Sequence, residues 1–207
     1  MSNVDAPVSV AVSACGGATS LTEVSPLVVA FVAGSTGPWR IGRVDAVVGD
    51  PVRTAERLRV LEGGEPSRPL AASWVLRGVT SNERYVNRNE RRALAAGEEP
   101  LGRPEATCAA LIPITKSEGW WALTQDERRE IFEERSRHIA TGLEYLPRIA
   151  RRLHHGRDLG EPFDFLTWFE YAPANAPAFE QLVERLRKTE EWTYVEREVD
   201  IRLVREG

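Results

Sequence analysis

The chain has 207 residues, enough for one large domain or two fused small ones with a sizeable core. Apolar residues make up 42% and charged residues 28%, and the formal net charge is −4, without the basic excess that marks a nucleic-acid binder. The two cysteines, Cys15 and Cys108, lie far apart in no CxxC spacing, which argues against a disulfide framework or structural zinc and for reduced thiols in a cytoplasmic protein.

Residues 1–22 are small and polar and read as a flexible leader. The run SVAVSACGGA within them is not a secretory signal, because no Lys or Arg precedes Arg40. Apolar runs at 26–33 and 43–49 have strand lengths, and PLVVAFVAG is too short to cross a bilayer. After a Gly/Pro/Glu turn at 62–69, SWVLRGVTSNERYV at 73–86 reads as a further strand. NERRALAAGEEPLGRPE, 89–105, predicts a short helix and a connector. A strand follows at 106–116, ATCAALIPITK. TQDERREIFEERSRHIATGLEYL then predicts one helix, from an N-cap at Thr124 to its stop before Pro147. RIARRLHHG and FDFLTWFEYA are predicted strands joined by a turn around Arg157–Pro162. AFEQLVERLRKTEEW predicts an amphipathic helix and VEREVDIRLVR a last strand.

Residues 106–207 thus read β-α-β-β-α-β, a ferredoxin-like order, and 23–105 a degenerate copy richer in strand. The expected fold is α+β, with two ferredoxin-like halves forming an α/β barrel and helices outside it. Such a fold by itself does not specify a function.

All three histidines fall between residues 133 and 155. His138 shares a helix face with Ile131, Arg135, Gly142 and Tyr145, so it points towards the sheet or its edge. Spacing leaves both a hydrogen-bonded core histidine and a ligand open there, and Gly142 leaves room for something flat. His154 and His155 face opposite sides of a strand and are expected at its rim; Arg151 and Leu153 share a face with His155. No GxGxxG, Walker or GxSxG motif occurs. Six tryptophans, including the pair Trp120-Trp121, suit either core packing or the walls around a wide planar ligand.

The pieces PITKSEGWWAL, the helix with His138, ARRLHHGRDLG, DFLTWFE and RKTEEW occur in that order, with SWVLRGVTSNERY upstream. In this set the chain resembles the chlorite dismutase family, haem b (iron protoporphyrin IX) proteins related to coproheme decarboxylases and dye-decolourising peroxidases. The resemblance implies that His138 is the iron ligand and that Arg151, thirteen residues on, is the catalytic distal residue. It implies that Tyr85, Lys116, Trp120 and Trp121 hold the propionates and the haem edge, and that Leu153, Thr167 and Phe169 line the distal side. Glu190 falls where the family has a carboxylate on the ligand histidine. Ile112 replaces the tyrosine of the decarboxylase YPxSK motif, here IPITK, and Arg151 replaces the glutamine of the firmicute type; both changes disfavour decarboxylation. The implied activity turns chlorite, a small anion, into chloride and dioxygen through a ferryl/hypochlorite intermediate held by Arg151. The implied assembly is the homodimer of short members, with no nucleic acid or membrane. The alternatives are another haem enzyme, peroxidase-like or decarboxylating, and a non-catalytic haem carrier.

Overall fold

Two-residue periodicity builds a closed barrel. In a computed structural model describing residues 28–63, 72–81 and 84–206, the strands are β1 (Val28–Gly34), β2 (Trp39–Val48), β3 (Arg57–Glu62), β4 (Trp74–Thr80), β5 (Cys108–Lys116), β6 (Ile149–His155), β7 (Phe165–Tyr171) and β8 (Val195–Arg205). The expected leader at 1–22 and most of the turn at 62–69 lie outside the described residues. All neighbouring strands are antiparallel, in the closed order β1-β3-β2-β8-β5-β7-β6-β4. Within each set of four the order is the same: fourth, first, third, second.

The halves differ in their crossovers. Gly34 and Arg40 both pair with Arg57, so β2 starts at the level where β1 stops, and residues 35–38 bridge them without a helix. Gly37 makes this crossing feasible. It has φ +147°, and a Cβ there would lie 2.4 Å from the Leu58 carbonyl oxygen. β3 is a strand the sequence reading did not anticipate. Its alternation is confined to six residues, and charges occupy Arg57, Arg59 and Glu62.

Alternate residues fill the barrel interior, among them Phe31, Leu58, Leu111, Trp168 and Ile201. The outer face of β5 and β7 presents Ala110, Ile112, Phe169 and Tyr171 to α5 (Ala176–Arg187). That helix answers with Phe179, Leu182, Val183 and Leu186, one apolar face at 3-1-3 spacing. Burying each contributes about 2 kcal/mol. No described helix is long and apolar enough to cross a membrane.

Asn87 caps α1 (Arg88–Gly97), its side-chain oxygen accepting from the N–H groups of Asn89 and Glu90, both at 2.9 Å. The single helix expected from Thr124 to Leu146 is corrected to three pieces. After α2 (Glu118–Ala122), Thr124 starts α3 (Gln125–Arg129), a π-helical turn covers Glu130–Arg135, and α4 (His138–Tyr145) begins afresh at the histidine.

The rim position expected for His154 and His155 is also corrected: both are buried. They close the barrel, where Val79 pairs with His155 and Thr80 with His154. His154 faces the interior, edge-on to Phe31 at 5.3 Å, with Nδ1 3.2 Å from the Thr80 hydroxyl. His155 faces outward against Phe165 at 4.8 Å. Gly78 permits this approach, since a Cβ there would come within 2.7 Å of the His154 Cβ.

Candidate active site

The break in the long helix sets the orientation of His138. Arg137 has φ 52° and ψ 38°, a left-handed conformation costing a non-glycine residue roughly 1–2 kcal/mol. The new helix therefore needs its own cap. Glu133 supplies one, accepting from the N–H of Ile139 at 2.6 Å and of Ala140 at 3.2 Å.

His138 Nδ1 lies 2.6 Å from Glu191 Oε2. The other oxygen of that carboxylate accepts from Lys116 Nζ at 2.8 Å, and Lys116 also donates to the Glu191 carbonyl at 3.1 Å. The Glu191 N–H donates to Ser136 Oγ at 2.9 Å. Burial alone would push the Glu191 pKa up, but the charges and hydrogen bonds of His138 and Lys116 prevail and hold it at about 2. Glu191 is thus a carboxylate and can only accept, so Nδ1 carries a proton and Nε2 is the ring nitrogen left to face a ligand. Among the described residues Nε2 has no hydrogen-bond partner. Phe132 stacks on the imidazole with ring centres 4.3 Å apart, fixing its plane.

A cavity of about 1100 Å³, counting its part open to solvent, runs along the outer face of the barrel beneath α4 and α5. His138 lines it, with Arg151 and Leu153 from β6, Thr167 and Phe169 from β7, and Ile112 from β5. Arg151 has no hydrogen-bond or ion-pair partner among the described residues. Burial pushes its pKa down from the guanidinium range while the charge of Glu98 pushes it up; it remains a cation. Tyr85 and Trp120 form another wall, their rings perpendicular and 6.1 Å apart. The Tyr85 hydroxyl and Trp120 Nε1 are buried without partners among the described residues. Tyr85 also holds a left-handed φ of 65°. A Cβ at Gly142, on the same lining, would meet nothing within 4 Å.

Three expected residues are placed differently. Glu190 is not the partner of His138; its carboxylate accepts from Arg135 at 2.8 Å, and Glu191 takes the inner position. Successive residues of this tight turn, Glu190–Tyr194, project about 120° apart, so only one of the two acids can face inward. Nothing in KTEEW distinguishes them beforehand. Trp121 does not line the cavity. It stacks behind Phe165 at 5.9 Å and donates to Asp164 at 3.1 Å. Lys116 lines the cavity, but its ammonium is spent on Glu191. Phe132, Trp192 and Ser136 were not anticipated either, because their neighbours are set by the helix break and by the turn after α5.

A family model described as chlorite dismutase matches residues 53–206. The chain belongs to the chlorite dismutase family. It is similar to the dimeric chlorite dismutase of Nitrobacter winogradskyi, whose crystal structure superposes with a TM-score of 0.79 at 57% identity, covering 86% of this chain and 99% of that one. A mutant chlorite dismutase from Candidatus Nitrospira defluvii in complex with cyanide has the same fold at 18% identity and TM-score 0.67, covering 89% and 92% of the two chains. The chlorite dismutase of Ideonella dechloratans is 29% identical over 125 residues. That match takes in 56% of this chain and 40% of the length of the relative.

Proposed function

We propose that this chain is a haem enzyme converting chlorite to chloride and dioxygen, acting as a homodimer in the cytoplasm. The observation that carries the proposal is the pairing, within one largely apolar cavity, of an imidazole whose Nδ1 is held by a buried carboxylate and an arginine with no hydrogen-bond or ion-pair partner among the described residues. The residues suit haem b. His138 Nε2 would be the iron ligand, with Glu191 and Lys116 behind it strengthening its donation. The donors Tyr85 Oη and Trp120 Nε1, buried and without partners among the described residues, match carboxylate groups on the edge of such a cofactor. Gly142 leaves space that any side chain would fill. The architecture fits two ferredoxin-like halves, 23–105 and 106–207, since the strand order repeats between them.

When bound, haem would supply an iron able to exchange electrons and oxygen with an oxyanion. The remaining work falls to the chain. Arg151 attracts chlorite and keeps it, and any chlorine oxyanion derived from it, inside the cavity without a proton equilibrium near neutral pH. Leu153, Thr167 and Phe169 narrow that space. Ion pairing at 4 Å is worth about 4 kcal/mol at an effective dielectric near 20, against about 1 in water, so a dry cavity favours retention.

Titration with haem should give a Soret band, and added chlorite should release dioxygen at an electrode. Arg151→Ala should keep the Soret band, release more hypochlorite to an external trap and bleach sooner. A variant matching the original in oxygen yield, lifetime and trapped hypochlorite would remove Arg151 from the site. Light scattering should give twice the chain mass; a monomer at micromolar concentration would refute the dimer.

A further inference from the structure

A regular helix projects residues i and i+2 about 200° apart, so they face opposite sides. Ser136 and His138 are two apart, yet both reach Glu191: the serine hydroxyl accepts from its backbone N–H at 2.9 Å, and the imidazole meets its carboxylate at 2.6 Å. The left-handed residue between them, Arg137, turns the chain so that both side chains share one side. A straight helix from Thr124 to Leu146 could offer Glu191 only one of the two. The preceding π-helical turn carries Glu133 to the cap of α4, which fixes where that helix starts. Ser136 is itself buried and gains nothing from solvent at this point.

We infer that Ser136 is a positioning residue. Through the left-handed turn at Arg137, it holds the backbone of Glu191 in register with His138, so that the carboxylate stays on Nδ1 and Nε2 stays available for a metal. Ser136 touches neither the cavity nor a substrate and acts only through Glu191. Its consequence for iron rests on the haem reading, whereas the geometry can be tested without haem.

The test uses Ser136→Ala, Ser136→Thr, Glu191→Gln and the Ser136→Ala/Glu191→Gln double variant. In haem-free protein labelled with ¹⁵N-histidine, His138 should show a single Nδ1–H tautomer, and Ser136→Ala should mix the two tautomers. In haem-loaded protein, Ser136→Ala should raise the iron reduction potential in the same direction as Glu191→Gln, because a loosened imidazole donates less. It should also release haem roughly ten times faster. Ser136→Thr, which keeps the hydroxyl, should restore both. The double variant should shift the potential no further than Glu191→Gln alone, since one residue acts through the other. Arg137→Gly should retain the original potential, glycine adopting positive φ readily, whereas Arg137→Val should behave like Ser136→Ala. Failure of the wild type to take up haem would defeat the proposed function and leave the tautomer measurement to decide the positioning role. An unchanged tautomer and potential in Ser136→Ala, or full additivity in the double variant, would overturn it.

Discussion

Neighbouring acids in the turn after α5 have opposite fates. Glu191 is enclosed between His138 and Lys116, while Glu190 meets Arg135 at a surface where both side chains remain well exposed, 41% and 48%. Replacing Glu191 by glutamine leaves the Lys116 charge buried without its counter-ion, a loss on the order of 3 kcal/mol. Urea unfolding of haem-free Glu191→Gln should show that loss, and its haem affinity should fall about 10- to 100-fold. Glu190→Gln should leave both measurements unchanged, as exposed ion pairs contribute little. Equal effects at the two positions would mean that the inner carboxylate has been misplaced. The acid that meets His138 lies one residue from the position the resemblance implies. The alternation of β6 and β7 puts Arg151 and Leu153 of one strand and Thr167 and Phe169 of the other on the same face of the sheet, because a period of two leaves no freedom. A tight turn has no such rule, and there the resemblance points to Glu190 whereas Glu191 takes the inner position.

Elements were legible where their periodicity was uninterrupted. α5 and β5 to β8 follow their apolar spacing closely, since each packs one face against the barrel. The break before His138 was hidden because EIFEERSRH holds neither glycine nor proline, the usual signals for a stop. Arg137 adopts a conformation its own propensity opposes, so the cause lies in tertiary contacts: Glu133 capping α4 and Ser136 bonded to Glu191. If the cap matters, Glu133→Ala should cost about 1 kcal/mol in urea unfolding. Glu133→Gln should cost less, because an amide oxygen still accepts one of the two N–H groups. The neighbouring Glu134, exposed and only 3.5 Å from Arg129, provides the control. Loss at Glu134→Ala equal to that at Glu133→Ala would discard the capping account.

Two seams of the barrel are narrow, β2 with β3 and β4 with β6, each spanning two residue pairs, and the second carries both histidines. β4 and β6 meet through Val79–His155 and Thr80–His154, and neither histidine can be charged there cheaply. Burial pushes both pKa values down to about 4; the Arg152 charge and His155 add to the effect on His154, and the Arg84 charge to that on His155, with Asp158 opposing. A folded pKa below the unfolded value of 6.5 means that the unfolded chain takes up protons first as pH falls. Each histidine's contribution is therefore complete above pH 6.5 and lost between 6.5 and 4, about 3 kcal/mol apiece. The carboxylates Glu191, Glu90 and Asp200 have lowered pKa values, so their contributions fall away only below their ordinary values near 4. The interval from pH 6.5 to 4.5 consequently isolates the histidines. In haem-free protein, the urea midpoint should decline across that interval, and His154→Gln should remove roughly half of the seam's share of the slope. Glutamine keeps a polar group beside the Thr80 hydroxyl, so the variant should still fold at pH 7.5, with a lower midpoint there and a flatter profile below. A slope identical to that of the wild type would show that His154 does not titrate on unfolding, and that the seam is not what acid opens.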